Sequence, residues 1–336
     1  MRRIAKSLVI KAGGLSLYHR AKHRHALTVL MLHRVLTPEL IPAYCADREY
    51  TISTALLERL VDILKDHYNV VSLGDVLQSH ERRKPLPAYP LLVTFDDGWA
   101  DNVTFASDLL AKAGVPWALF AATDAIASGA RWWQESLLAI LRSDHRLFDE
   151  LKQAALGVSK RADADLPSDH SLAILMLYGA LPPAQRDALI ALGASRVTRA
   201  CGPRDMADWD MLANLQSAGT RIGGHGASHL PLTMIEDPAD DLRRSQREMR
   251  LHLGDAACST MSFPHGLYNA EIVRQALNTG VRLMFTSNPI LNKCPDGWLQ
   301  SDLIGRIPIS MNIIAGDDGA LAPERLMPWL MLRALA

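Results

Sequence analysis

Two adjacent carboxylates stand at the end of an apolar segment that has the composition of a buried strand. The segment at 89–95 reads YPLLVTF, and Asp96, Asp97 and Gly98 follow it directly. Glycine permits a sharp turn after a strand, so both carboxylates can converge on one site. Because like charges so close together repel, a bound cation between them would relieve the repulsion. The alternative is an Asp-Asp-Gly surface turn, since these residue types are common in turns.

A second polar group, His-Gly-Ala-Ser-His at 225–229, offers two imidazoles four residues apart. On a helical turn such a pair faces the same way and can reach one metal ion. It differs from the H-E-x-x-H of zinc proteases, because Gly226 stands where that motif has glutamate. Taken alone, the pair could equally be structural. Together with the Asp-Asp pair it supplies a two-histidine, one-carboxylate set, which leaves metal positions open for water and substrate.

These groups share one position, the carboxyl end of a predicted strand. His33 and Arg34 follow the strand LTVLML, and the turn Pro264-His265-Gly266 follows the strand CSTMSF. In parallel α/β folds the carboxyl ends of the strands form the binding face. Four strands therefore deliver ionisable or turn-forming groups to one edge of the expected sheet.

The elements that must position these groups alternate along the chain. Strand-like and helix-like segments follow each other over residues 26–310, which predicts a parallel sheet covered by helices. About seven or eight strands are expected, a number that suits a barrel or a large open sheet. Residues from about 131 to 207 look mostly helical, so we expect a helical insertion there. A basic segment at 1–25 precedes this body, and a helical tail at 311–336 follows it.

The composition argues against several classes of function. The 336 residues carry 36 basic and 36 acidic side chains, so no overall charge attracts nucleic acid, and no glycine-rich loop supports nucleotide binding. The four cysteines are far apart and indicate neither a disulfide framework nor a thiolate zinc site. The N-terminus lacks the apolar stretch of a signal peptide, and no apolar run approaches the ~18 residues of a membrane span.

We therefore expect a cytoplasmic location. The cations of the segment 1–25 would suit contact with anionic lipid on the inner face of the membrane. The alternative is a solvated amphipathic helix that packs on the domain.

The sequence resembles the polysaccharide deacetylases of carbohydrate esterase family four. The motifs that carry the resemblance are T-F-D-D-G at 94–98, H-x-x-x-H at 225–229 and F-P-H-G at 263–266, in that order. The resemblance covers residues from about 26 to 310, apart from the helical insertion. It implies an α/β fold, a distorted (β/α)7–8 barrel with parallel strands, and removal of an N-acetyl or O-acetyl group from a carbohydrate.

The resemblance also implies roles for the first two motifs. Asp96 matches the general base of the family and Asp97 its metal-binding aspartate. His225 and His229 match the two metal-binding histidines. One divalent metal ion is therefore expected, with Zn²⁺ as the first choice and Co²⁺, Ni²⁺ or Fe²⁺ as alternatives that the same ligands suit.

The third motif is expected to contact the substrate. By the same resemblance, the backbone N–H of His265 would bind the oxyanion of the tetrahedral intermediate together with the metal, and Pro264 belongs to the same turn. Trp99 is a candidate for lining a sugar groove, because aromatic rings stack on pyranose rings. Core packing is the alternative use of this tryptophan.

The sequence departs from the family pattern in three places. Ser262 stands where the family has the arginine that orients the base, His265 replaces a tyrosine or phenylalanine, and no L-x-x-H follows residue 266, where the family carries its general acid. That pattern occurs instead at 30–33. Because the termini of a closed barrel lie near each other, we expect a circularly permuted arrangement with His33 as the general acid. Arg34 or Arg306 would replace the missing arginine, unless each forms only a structural ion pair.

The expected function is metal-dependent hydrolysis of acetyl groups from an N-acetylated polysaccharide, oligosaccharide or lipid-linked glycan precursor. An O-acetyl glycan esterase would use the same chemistry. A degenerate domain that binds glycan without turnover is the third possibility, and the missing arginine favours it. No nucleic-acid partner is expected, and no oligomeric state follows from the sequence.

Overall fold

The computed structural model describes residues 14–44, 46–129 and 205–332, together with a few isolated positions from 153 to 191. The helical insertion predicted at about 131–207 lies almost wholly outside the described residues, so its helical character stays a prediction. The chain forms two compact units. The first comprises residues 1–37, 48–129 and 206–336, and the second comprises residues 38–47 and 130–205. Every motif that could carry chemistry lies in the first unit.

The strands and helices of the described residues are as follows. The strands are β1 (Ala26–Leu32), β2 (Arg34–Leu36), β3 (Thr51–Ser53), β4 (Asn69–Val70), β5 (Pro90–Phe95), β6 (Trp117–Ala121), β7 (Arg221–Gly224), β8 (Thr260–Ser262), β9 (Leu283–Phe285), β10 (Asn292–Lys293), β11 (Leu303–Ile304) and β12 (Ile307–Pro308). The α-helices are α1 (Gly14–Lys22), α2 (Leu40–Ala43), α3 (Thr54–His67), α4 (Leu73–Arg82), α5 (Ser107–Ala113), α6 (Thr123–Ser128), α7 (Trp209–Ser217), α8 (Pro238–Leu253), α9 (Ala270–Asn278), α10 (Met311–Ile314) and α11 (Pro323–Leu332).

The main sheet is a nearly closed barrel of mostly parallel strands. Its order is β10-β1-β5-β6-β7-β8-β9-β11, and only the pairing of β10 with β1 is antiparallel. β11 pairs with β9 while β12 pairs with β1, and only Gly305 and Arg306 separate these two short strands. The chain segment 303–308 therefore joins the two edges of the sheet. This is the distorted (β/α) barrel that the resemblance to the polysaccharide deacetylases implies.

Local sequence signals explain where the helices around the barrel begin. The Ser53 hydroxyl accepts a hydrogen bond from the Leu56 N–H, and it thereby caps α3, which buries a leucine-rich face. Ser72 and Asp75 form a reciprocal capping box at the start of α4. The segment Asn102–Ala106 that follows the two carboxylates is π-helical and leads into α5. π-Helical turns are rare and often lie at functional sites.

The interior of the barrel is filled by side chains from several strands. Leu27, Leu92, Phe120 and Phe285 are buried in one continuous cluster. A Cβ on Gly223 would lie only 2.7 Å from the Phe120 ring, so glycine permits the close packing of β7 against β6. Because the interior is packed, the polar groups of the barrel gather at its rim.

The two ends of the described first unit lie against each other and against the barrel. His23 Nε2 lies 3.4 Å from the Met331 carbonyl oxygen, which joins the loop after α1 to α11. The Trp329 indole N–H donates to the Pro308 carbonyl, 2.8 Å away, and ties α11 to β12. None of the described helices is long and apolar enough to cross a membrane.

Candidate metal centre and active site

The carboxyl ends of several neighbouring strands bring the polar motifs together. Asp96 and Asp97 follow β5, His225 follows β7, and Ser262 ends β8. His33 follows β1, in which Leu32 is paired with Phe95 of β5. His33 and Asp96 therefore lie at equivalent positions on adjacent parallel strands. The fold therefore brings the polar motifs to one edge of the sheet, as the sequence predicts.

Asp97, His225 and His229 form a group that could hold a metal ion. All three are buried, and one ligand atom from each lies within 4.8 Å of the others. Asp97 Oδ1 is 3.1 Å from His229 Nε2 and 3.4 Å from His225 Nε2. Two imidazole nitrogens and one carboxylate oxygen suit Zn²⁺ and related divalent ions, and they leave coordination positions open.

The hydrogen bonds of His225 fit a metal ligand. Its Nδ1 lies 3.0 Å from the Ser262 carbonyl oxygen, which can only accept, so we assign the hydrogen of the neutral ring to Nδ1. The lone pair of Nε2 then faces Asp97, as in histidines that bind metals. Burial lowers the pKa of His225, but Asp96 and Asp97 outweigh it and the pKa is raised overall. Positive charge, from a proton or a metal ion, is thus favoured between these groups.

Asp97 favours its negatively charged form. Burial raises its pKa, yet His229 and the hydrogen bonds with both histidines bring the pKa well below its ordinary value. Asp97 also has a positive φ of 78°, and His229 has one of 59°. Non-glycine residues in this region are strained, and such strain is concentrated at functional sites.

The loop that carries the two histidines is held by a buried carboxylate on α8. Asp241 Oδ1 accepts a hydrogen bond from the Ala227 N–H at 2.7 Å, and Oδ2 accepts one from the Ser228 N–H at 3.0 Å. Gly226 lies beside this contact with φ of 69°, and a Cβ there would lie 3.0 Å from Asp241 Oδ1. Asp241 belongs to no motif and lies in a charged helix, so the sequence gives no signal for its role.

Asp96 faces a different environment from its neighbour. Arg306 Nη1 and Nη2 donate to Asp96 Oδ1 and Oδ2, each at 2.7 Å, and both side chains are almost fully buried. The Ser262 hydroxyl donates to Asp96 Oδ1 at 3.2 Å and also contacts His225 Nδ1. Burial raises the pKa of Asp96, but Arg306 and His225 outweigh it and lower the pKa overall. Of the two arginines considered from the sequence, Arg306 is the one that meets Asp96.

His33 lies at the same edge, half-buried, with its ring edge-on to Tyr50 at 5.1 Å between ring centroids. Its backbone carbonyl accepts a hydrogen bond from Asn102 Nδ2 at 2.8 Å. Burial lowers the pKa of His33, while Asp97 and Asp96 partly offset this effect. The carboxylates are close enough to stabilise a proton on this imidazole.

The turn after β8 faces the metal-binding group. His265 has φ of 57°, and its Nε2 lies 3.1 Å from the His229 carbonyl oxygen. Burial lowers the pKa of His265 to about 3, with a further contribution from His229, so its ring is neutral at physiological pH. The two hydrogen bonds of the turn are donated by the N–H groups of Gly266 and Leu267, not by that of His265. Pro264 is buried and packs near Gly226 of the histidine loop, and its predicted contact with substrate stays a prediction.

Two residues have different positions from those predicted. Trp99 is only 2% exposed, so it does not line a sugar groove; its indole N–H donates to Asp97 Oδ2 at 2.9 Å. Arg34 was a candidate for orienting Asp96, but its Nε pairs with Asp101 Oδ2 at 2.9 Å. The reason is geometric, because Arg34 begins β2, which contacts the segment after Asp97 through Asp101.

One protein-family model matches part of the chain. The family model for polysaccharide deacetylase matches residues 178–284, a span that contains both histidines of the metal group and the turn after β8. This match confirms the resemblance that the motifs indicate, and it supports a hydrolase that deacetylates carbohydrates. The circular permutation stays a prediction.

Several solved structures have a similar fold. The chain is 17% identical to IcaB from Ammonifex degensii, with a TM-score of 0.58 and coverage of 91% of this chain and 97% of that one. It is 15% identical to the deacetylase PplD from Streptococcus pyogenes in complex with acetate, with a TM-score of 0.57 and coverage of 91% and 99%. A de-N-acetylase from Aggregatibacter actinomycetemcomitans is 17% identical, with a TM-score of 0.51 and coverage of 84% and 94%. At such identities the likeness establishes the fold. No curated protein sequence matches the chain significantly.

Proposed function

We propose that this chain is a metal-dependent carbohydrate N-deacetylase. The observation that carries the proposal is that two adjacent carboxylates have different partners. Asp97 faces His225 and His229, whereas Asp96 faces Arg306. One carboxylate is thus available as a metal ligand and the other as a base, which are the two roles that hydrolysis of an acetamide by activated water requires.

Asp97, His225 and His229 would hold one divalent ion, with Zn²⁺ as our first choice. Such an ion supplies Lewis acidity and makes water acidic enough to react near neutral pH. The residues around this ion would hold the groups that react. In neutral His225 the hydrogen on Nδ1 leaves the Nε2 lone pair for the metal, and the low pKa of Asp97 keeps its carboxylate charged.

The remaining residues would move protons and stabilise charge. Asp96 Oδ2 accepts a hydrogen bond only from Arg306 among the described residues, so one lone pair can take the proton of the attacking water. The backbone N–H of His265 would donate to the oxygen of the tetrahedral intermediate. His33 would protonate the departing nitrogen, with the nearby carboxylates stabilising its imidazolium form.

Two alternative functions share this site. An O-acetyl glycan esterase would need the same groups, and only the substrate distinguishes it. A degenerate glycan-binding domain was favoured by serine at position 262, where the family has an arginine. Arg306, which lies between β11 and β12, provides a guanidinium to Asp96, so that observation no longer favours loss of catalysis.

Acetate release tests the proposal directly. The purified protein is incubated with a panel of N-acetylated and O-acetylated oligosaccharides, with and without a chelator, and acetate is quantified. We expect release from an N-acetylated substrate that the chelator abolishes and added Zn²⁺ restores. Asp97→Ala should abolish both metal binding and acetate release, while the exposed control Asp240→Ala should retain them. Chelator-resistant release, or full activity of Asp97→Ala, would contradict the proposal.

We also propose cytoplasmic placement with contact at an anionic membrane surface. In support, α1 exposes Leu17 together with Arg20 and Lys22, and no acidic residue occurs before Glu39. A basic surface with an exposed apolar side chain is suited to anionic headgroups. Cosedimentation with vesicles that contain phosphatidylserine, but not with neutral vesicles, is the expected result. Equal recovery with both kinds of vesicle would contradict this part of the proposal.

A further inference from the structure

The two oxygens of Asp97 have separate partners. Oδ1 lies toward His225 and His229, at 3.4 and 3.1 Å from their Nε2 atoms. Oδ2 accepts a hydrogen bond from Trp99 Nε1 at 2.9 Å. The carboxylate is therefore fixed in rotation about its last bond, and one defined oxygen faces the site.

Trp99 is itself covered by a buried cation, Arg34, which is fixed in turn by Asp101. The Arg34 guanidinium lies over its ring, 4.1 Å from the ring centroid. Arg34 Nε pairs with Asp101 Oδ2 at 2.9 Å, and Asp101 Oδ1 accepts a hydrogen bond from the Val35 N–H at 3.0 Å. A cation over the face of an indole is attracted to its π electrons, and burial strengthens the interaction.

The backbone around Trp99 allows little adjustment. Asp97 and Gly98 both have positive φ, and a Cβ on Gly98 would lie 2.7 Å from Ile126 Cδ1. Trp99 forms an isolated antiparallel bridge with Met206, and the Ala207 N–H donates to the Gly98 carbonyl at 2.9 Å. The fold therefore restrains the position of the indole.

We propose that Trp99, stacked under Arg34, is a positioning residue that holds Asp97 in the orientation needed to bind the metal ion. The inference rests on the proposed function. A partner that donates a hydrogen bond to one oxygen of a ligating carboxylate orients the other oxygen, and loss of such partners typically lowers metal affinity by about 10–100-fold. The indole N–H is a neutral donor, so it orients Asp97 without neutralising the charge that attracts the metal. A tryptophan that served only for packing would have no such effect on metal affinity.

Zinc affinity measured by competition with a chromophoric chelator separates these roles. Trp99→Phe keeps an aromatic ring under Arg34 but removes the N–H, and we expect its Zn²⁺ affinity to fall about 10–100-fold. Trp329→Phe is the matched control, because it also removes the hydrogen bond of an indole N–H, in this case to the Pro308 carbonyl. Trp329 is distant in sequence from the residues of the metal group. The Zn²⁺ affinity of this control should equal that of the wild type. Urea unfolding of the metal-free proteins establishes that both variants are folded.

Each outcome is decisive. Wild-type affinity in Trp99→Phe, or an equal loss in both variants, overturns the positioning role and leaves the proposed function intact. A wild type that binds no Zn²⁺, Co²⁺, Ni²⁺ or Fe²⁺ overturns the proposed function and the positioning role together. If Trp99→Phe does not fold, NMR of Asp97→Asn replaces it. The indole N–H resonance of Trp99, identified through its contact with Arg34, should shift upfield when the charged acceptor becomes a neutral amide; an unchanged shift overturns the inference.

Discussion

The buried pair between Arg306 and Asp96 allows a sharp test of how this site works. Arg306 is fully buried, and besides its two bonds to Asp96 it donates from Nε to the Thr286 carbonyl at 3.0 Å. Arg306→Met removes the guanidinium and keeps much of the apolar volume. Asp96 would then be a buried carboxylate without its main counter-charge.

Two consequences follow, with different magnitudes. Removal of one partner of a buried ion pair costs about 3–5 kcal/mol in the free energy of unfolding. Without Arg306, burial is the dominant influence on Asp96 and raises its pKa, so a proton neutralises the base. Because a positioned base contributes about 10²–10⁴-fold to rate, we expect kcat/KM to fall by at least about 10²-fold.

A double-variant cycle separates stability from catalysis. Arg306→Met, Asp96→Asn and the double variant are compared by urea unfolding, by acetate release and by Zn²⁺ affinity. The double variant contains neither charge, so it should recover most of the lost stability and yet remain inactive. Zn²⁺ affinity should persist throughout, because Asp97, His225 and His229 are untouched. Arg282→Lys, at an exposed pair with Glu81, provides a control for arginine substitution.

The reasoning would be refuted by an Arg306→Met variant that keeps wild-type kcat/KM. Recovery of activity in the double variant would equally exclude Asp96 as the base. Loss of Zn²⁺ affinity in step with stability would show that Arg306 supports the whole barrel rim, and its assignment to Asp96 alone would then be wrong.

Two further predictions concern groups outside the reacting centre. Asp241→Asn places an amide N–H₂ against a backbone N–H of Ala227 or Ser228. We therefore expect a loss of about 1–3 kcal/mol in the free energy of unfolding and weaker Zn²⁺ binding. The control variant Asp240→Asn should match the wild type in both measurements. Burial lowers the pKa of His19 from 6.5 to about 4, so the unfolded chain binds its proton first as pH falls. The contribution of His19 to stability is therefore intact above pH 6.5 and is lost between pH 6.5 and 4. It amounts to on the order of 2 kcal/mol after solvent screening. Urea unfolding of His19→Phe should show a flatter pH profile than the wild type in that window, and parallel profiles would contradict the assignment.

Much of the barrel could be predicted because its signals are local. The helices α3, α8 and α9 begin and end where apolar spacing and end signals indicate. The apolar strands β1 and β5 also coincide closely with the apolar segments that predict them. α4 was not predicted, although its capping box at 72–75 is readable from the sequence. The apolar segment 303–309 has the composition of one strand, but it is divided at Gly305 and Arg306, because each half pairs with a different edge of the barrel.

The amino-acid sequence by itself determined which ionisable residues stand at strand ends, since the alternation of apolar segments and turns is a local property. From this alone the meeting of Asp96, Asp97, His225, His229 and His33 at one rim could be expected. Which partner each side chain would find was decided only by the tertiary structure.

Arg306 reaches Asp96 across 210 positions in sequence because β12 closes the barrel beside β1. Trp99 points inward to Asp97, and Arg34 to Asp101, because positive backbone angles turn the chain sharply after β5. No spacing rule encodes these pairs. They depend on which strands become neighbours, and that depends on how the whole chain packs.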